Sequence, residues 1–131
     1  MLLDDLSDYL STAGISTPVK KGRLQDAPDT QIAIVESAGE GSVHAMSTGP
    51  GRAVAEWPHV QVLSRDVTYN GARLLAHQVH AKLDGFYPRT LNGIAYKWVE
   101  AMQNPFWLVD DDNQRTVIAC NYRICKGWST T

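Results

Sequence analysis

The side chains able to do chemistry in this 131-residue chain are few and scattered. His77 and His80 stand three apart in a helical pattern, a spacing that can hold a metal, yet neither an HExxH motif nor a carboxylate partner accompanies them. His80 lies beside the apolar stripe and His77 outside it, and no metal is expected. Asp110, Asp111 and Asp112 run consecutively, whereas a calcium loop of the EF type alternates its ligands and carries an internal glycine and a terminal glutamate. That run reads as a solvated β-turn. Lys20, Lys21 and Arg23 form a small basic cluster best read as a solvated loop, and Gly51-Arg52-Ala53 lacks the Gly-Lys-Ser/Thr of a phosphate cradle. Cys120 and Cys125 lie five apart in what reads as one strand, roughly 16 Å end to end and on opposite faces. A disulfide needs Cα atoms within about 7 Å, so both are expected as buried free thiols of a reducing compartment. No serine occupies a nucleophile elbow and no cysteine has an identifiable base. The chain offers no positive case for catalysis, and no cofactor is expected.

Composition points the same way. Apolar residues make up 44% and charged residues 20%, ordinary for a globular protein. The length fits one domain over residues 1–131 that buries roughly two thirds of the unfolded surface. No apolar run approaches the ~20 residues of a membrane span, and Asp4 and Asp5 stand where a secretion signal carries bases. A cytosolic site of synthesis is expected. The formal net charge of -2 supplies no basic field of the kind that grips nucleic acid through its phosphates.

The elements are clearest between Trp57 and Leu83. His59 to Asp66 alternates Val60, Val62 and Ser64 with Gln61, Leu63 and Arg65, the two-residue period of a strand. From Asn70 the period lengthens: Ala72, Leu75, Ala76, Val79 and Leu83 recur three or four apart, predicting a helix that ends at Gly85. Asn92-Gly93 is a hairpin signal opening a strand from Ile94 to about Met102. Upstream, residues 2–13 carry the stripe Leu2, Leu3, Leu6, Tyr9, Leu10 and Ala13, a helix closed by Gly14. Residues 16–28 read as irregular or edge-like, with a turn at Asp26-Ala27-Pro28-Asp29. Gln31 to Glu36 is a short strand apolar on both faces, hence central, pairing near Val60. Pro105 marks a bulge or kinked edge around Phe106 and Trp107. The last strand places Ile118, Cys120, Tyr122 and Ile124 inward and Ala119, Asn121 and Arg123 outward. Together these predict an α+β fold, a mixed, mainly antiparallel sheet covered by two helices.

Residues 37–56, with Gly39, Gly41, Gly49, Pro50 and Gly51, read as one loop far longer than most connections, an arm or β-hairpin ordered by a partner. Residues 127–131 read as a polar tail. Trp98, alternating with Ile94 and Tyr96, is expected in the sheet core or beneath a helix. Trp57 beside Pro58 and Trp107 beside Pro105 are expected at an interface, since large aromatics anchor interfaces as well as cores. The expected partner-contact set is Glu40, His44, Met46, Arg52, Trp57, Phe106 and Trp107.

The order of these pieces resembles a known family. The stretches GRLQDAPDTQIAIVESAG (22–39), EWPHVQVLSRDVTYNGARLLAHQVHAKLDG (56–85) and LNGIAYKWVEAMQNPFWLVDDDNQRTVIACNYRI (91–124) resemble the small minor capsid proteins of tailed bacteriophages, similar to tail terminators of long-tailed phages. The resemblance implies a virion protein, assembled in the host cytoplasm, that forms a homo-oligomeric ring, typically of six copies. The ring would seat on the tail tube protein, stop tube growth and meet a neck protein, with DNA passing through its lumen without sequence-specific binding. The competing readings are a head-completion or stopper protein of the neck and, in another class, a small metal-binding or ligand-binding protein.

Overall fold

The computed structural model describes residues 2–43, 55–86 and 88–126. α1 (Leu2–Thr12) carries Asp4 and Asp5 in its first turn, where the positive helix end favours them. Leu2, Leu6 and Leu10 are buried, and Gly14, at φ 103°, turns the chain out of the helix. Asp5, a carboxylate three after Leu2 and four before Tyr9 at the flank of that stripe, is fully buried. It accepts hydrogen bonds from the Tyr96 hydroxyl and from Asn92 Nδ2 at 2.7 Å, tying α1 to the Asn92 hairpin.

Among the described residues seven strands follow: β1 (Val19–Lys21), β2 (Gln31–Val43), β3 (Ala55–Asp66), β4 (Arg89–Leu91), β5 (Ile94–Ala101), β6 (Phe106–Asp110) and β7 (Thr116–Lys126). They form one sheet in the order β1-β2-β3-β7-β5-β4, with β6 beside β7. Only β1 and β2 run parallel; every other pair is antiparallel. β7 is the spine: β3 lies along one side, while β6 and β5 share the other. Asn92 and Gly93, both at positive φ, make the tight turn from β4 to β5. α2 (Tyr69–Leu83) lies between β3 and β4 in the chain. α1 packs against β1 and β2, and α2 against β3, β7 and β5. The α2 stripe Ala72, Leu75, Ala76, Val79 and Leu83 is buried as its period dictates. The core joins Leu6 and Leu10 to Ile32, Ile34, Val60, Val62, Tyr122 and Ile124.

Several expectations need correction. β2 and β3 reach Val43 and Ala55 through two register shifts in β2, so strand occupies much of 37–56; residues 44–54 lie outside the described residues, as does the tail 127–131. Lys20 and Lys21 belong to β1, and Lys21 pairs with Asp4. Ala119, read as outward, is fully buried, and so is Gln31. Trp98 is 41% exposed and not core. The cause is a bulge: β5 advances two residues from Tyr96 to Trp98 while β7 advances one, from Lys126 to Cys125. The extra residue turns Trp98 to the opposite face from Tyr96 and Val99.

Thr68 caps α2, its hydroxyl accepting the Gly71 N–H at 3.0 Å. Thr68→Ala is expected to lower stability by about 1 kcal/mol. Gly71→Ala, which helix propensity alone would make favourable by about 1 kcal/mol, is expected to destabilise. A Cβ there would stand 2.1 Å from Asp66 Oδ2 and 2.8 Å from Thr68 Oγ1, displacing both the cap and an Asp66 carboxylate that already holds Thr30 and the Val67 N–H. Urea unfolding of both variants checks this; a Gly71→Ala protein more stable than the parent contradicts it.

Candidate functional site

The two helix histidines sit differently. His77 is exposed. His80 lies against the sheet, its Nδ1 3.2 Å from the Tyr122 hydroxyl and 4.0 Å from Cys120 Sγ, its Nε2 3.7 Å from Asp84. Thiol, imidazole and carboxylate thus stand in the order of a nucleophilic triad, which sequence spacing did not reveal because β7 brings Cys120 to α2. The chemistry does not follow. Burial pushes the Cys120 thiol above its ordinary range, and its Sγ lies 3.2 Å from the Gln103 carbonyl oxygen, a nearer acceptor than His80. Burial also pushes the Tyr122 hydroxyl upward. Such groups act as packed, hydrogen-bonded core members, because the reactive form of a cysteine is the thiolate. Cys120 and Cys125 are both free and buried. Among the described residues no cluster of three His, Cys, Asp or Glu side chains is arranged to hold a metal.

The acidic turn is more than a solvated one. Asp111 Oδ1 accepts the N–H groups of Asn113 and Arg115, and Oδ2 accepts Arg115 Nε at 2.8 Å. Arg115 extends to Asp29, 3.0 Å away, and to the Asp26 carbonyl oxygen. Beside it, Arg65 donates to the carbonyl oxygens of Gln25, Pro28 and Asp29 at 2.6, 2.8 and 3.0 Å. Gln31 completes the clamp, its amide oxygen receiving the Gln25 N–H at 2.7 Å and its Nε2 donating to Gln25 and Pro28 oxygens. Two arginines and a glutamine thus hold residues 25–29, which contain the cis Ala27-Pro28 bond, against the start of β2, the end of β3 and the start of β7.

Burial works against the Asp111 carboxylate, but the Arg115 and Asn113 N–H groups and the Arg115 guanidinium outweigh it and hold the carboxyl below its ordinary range. A folded value below the unfolded one contributes stability that is complete above the unfolded value, about 4 for aspartate, and is lost as pH falls through the folded value. Stability is therefore expected to drop below about pH 4, and to drop less in Asp111→Asn. Denaturation midpoints between pH 2.5 and 6 test this; parallel curves for the two proteins contradict it.

The residues expected at an interface fall into three groups. His44, Met46 and Arg52 lie outside the described residues. Glu40 and Trp57 are opposite each other in the β2–β3 pairing. Trp57 meets Trp98 edge-on, ring centroids 5.2 Å apart, and the Arg123 guanidinium lies 4.4 Å from the Trp57 centroid. Arg123 also reaches Glu100 at 3.4 Å. Trp57 is therefore half-buried by its own sheet, and sequence missed its partner because the β5 bulge was not legible. Phe106, half-buried, sits opposite Ala119, while Trp107 is 52% exposed, its Nε1 donating to Asp110 at 3.1 Å.

Trp107 does not stand alone. Leu108 and Val109 beside it are exposed, and so are Val67, just before α2, and Tyr69 and Leu74 in its first half. Arg73 joins the two segments, donating to the Pro105 carbonyl oxygen at 2.6 Å and to the Tyr69 hydroxyl at 3.0 Å. Arg73 thus ties two segments that both carry exposed large apolar side chains, and such exposed apolar surface marks a candidate contact surface. This surface was only partly legible, because Val67, Tyr69 and Leu74 belong to a different element from Trp107. A separate cleft of about 380 Å³ between α1 and β4 is lined by polar and apolar side chains together, Asp5, Asp8, Tyr9, Arg89, Leu91 and Asn92 among them, and its buried carboxylate already has partners.

Residues 9–126 match a family model described as bacteriophage tail terminator protein. Among solved structures the chain is similar to one from the virion of a native gene transfer agent particle, at 11% identity and a TM-score of 0.71, with 97% of this chain and 95% of that one covered. A second solved chain is similar at 14% identity and a TM-score of 0.59, with coverage of 99% and 93%. No curated protein matches.

Proposed function

The chain belongs to the bacteriophage tail terminator protein family, a structural component of the virion tail, and from that premise we propose that it closes the tail tube as a homo-oligomeric ring and offers its far side to the neck. Six copies, as the family resemblance implies, would surround a lumen through which DNA passes without sequence-specific contact. A terminator must match the tube end on one side and refuse a further tube subunit on the other. The observation that carries the reading is the exposure of Trp107 and Leu108 on β6 and of Tyr69 and Leu74 on α2, large side chains that a lone chain would leave against water. Glu40, His44, Met46 and Arg52 are proposed to meet the tube or the neck protein, and the 131 residues to act as one domain. The gene transfer agent structure, itself a virion component by its description, supports the same architecture for the fold.

The test is native mass spectrometry with negative-stain microscopy at high protein concentration. Closed rings in the parent, and dissociation when Trp107→Asp and Leu74→Asp are introduced without loss of folding, are the expected results. Rings that survive both substitutions contradict a role for these side chains.

A further inference from the structure

Among the described residues, the outer edges of β2 beyond β1 and of β6 carry no paired strand, and they lie on opposite sides of the sheet. On one side β1 covers β2 only from Ile32 to Ile34; beyond that, among the described residues, no strand pairs with the outer edge of β2. Ile32 N–H donates to the Pro18 oxygen and the Ile34 oxygen accepts from Gly22 N–H, so these residues direct their backbone groups outward. By two-residue alternation, Glu36 is the next whose N–H and C=O leave the sheet, and it has no partner strand. On the other side, β6 pairs only with β7. The Asn121 carbonyl oxygen accepts from Met102 N–H, so alternate β7 residues face that way, and Trp107, opposite Ile118, turns its backbone groups outward.

Resting on the ring reading above, we infer that the β6 edge of one copy adds as an antiparallel strand to the β2 edge of the next, joining neighbouring sheets around the ring. The occupant is a second copy of this chain because the two edges complement each other in hydrogen bonding and, at the end where β1 stops, in charge; Glu36 and Glu40 on β2 itself are acidic and lie beyond that end. β6 runs directly into exposed Asp110 and Asp112, while the bare part of β2 begins beside Lys20 and Arg23 at the end of β1. Antiparallel addition lays the acidic turn against that basic cluster. Self-pairing of either edge leaves the charges unmatched. Two different edges on opposite sides also give the head-to-tail contact that a closed ring requires.

Disulfide capture tests the pairing in the full chain, whose two native thiols are buried. Protomers carrying Glu36→Cys are mixed with protomers carrying Trp107→Cys, Leu108→Cys or Val109→Cys, three positions that scan the register. A covalent heterodimer in a mixture, with none in either protein alone, is expected; a dimer of the Glu36→Cys protein alone, or none at all, overturns the inference. Glu36→Pro removes an outward N–H that the isolated fold does not use, so folding should persist and assembly should fail. Asp110→Lys with Asp112→Lys should weaken assembly about tenfold or more, and Lys20→Glu with Arg23→Glu in the neighbouring copy should restore it. Rings that persist in Glu36→Pro overturn this pairing and leave the ring standing; a parent protein that stays monomeric throughout counts against the ring itself.

Discussion

Arg65→Ala is expected to lower stability by about 3–5 kcal/mol, a thermal shift of about 10 °C or more for a chain of this size. Arg65 is 3% exposed, and its guanidinium donates to three carbonyl oxygens of the 25–29 loop while lying 3.6 Å from Asp111. Alanine would strand the Asp29 oxygen and leave those of Gln25 and Pro28 with Gln31 Nε2 as their one side-chain donor. It would also leave Arg115 and Gln31 to hold the loop without it. Arg65→Lys should recover only part of the loss, because one ammonium cannot reproduce the planar fork that reaches three acceptors. Thermal and urea unfolding give the values, and a loss below about 1 kcal/mol, typical of an exposed pair, would contradict a buried clamp.

The second large effect is functional. Val43 and Ala55 are opposite each other in the β2–β3 pairing, so residues 44–54 can be replaced by Asn-Gly, which joins antiparallel strands in a two-residue turn. The shortened protein should keep the far-ultraviolet spectrum and unfolding midpoint of the parent. Joining of tails to heads should fall to background in phage supplied only with the shortened protein. Normal yields of joined particles would show that His44, Met46 and Arg52 are dispensable and would remove them from the proposed contact set.

The elements that sequence revealed best are those whose period matched their burial. The α2 stripe from Ala72 to Leu83 and the Asn92-Gly93 turn followed directly, since helix amphipathicity and positive φ are local properties. What escaped notice was non-local. Asp5 lies inside because Tyr96 and Asn92, some ninety residues away, supply its donors. Arg65 and Ala119 sit on a face that alternation assigns to solvent, yet the 25–29 loop folds back onto Arg65 there. Trp98 changed faces through one bulge residue, Lys97, whose presence no period announces. Of the contact residues, Trp107 was legible from its neighbour Pro105, whereas Tyr69 and Leu74 became candidates only when Arg73 was seen bridging α2 to β6.

Family membership and exposed apolar side chains converge on one claim, that this chain stops a growing tube by seating on its end. The direct measurement is the length distribution of tail tubes polymerised from tube protein in its presence and absence, read by electron microscopy. With the protein added, growth should cease and the tube ends should carry one ring of extra density. Tubes that lengthen at an unchanged rate, with bare ends at saturating protein, would contradict it.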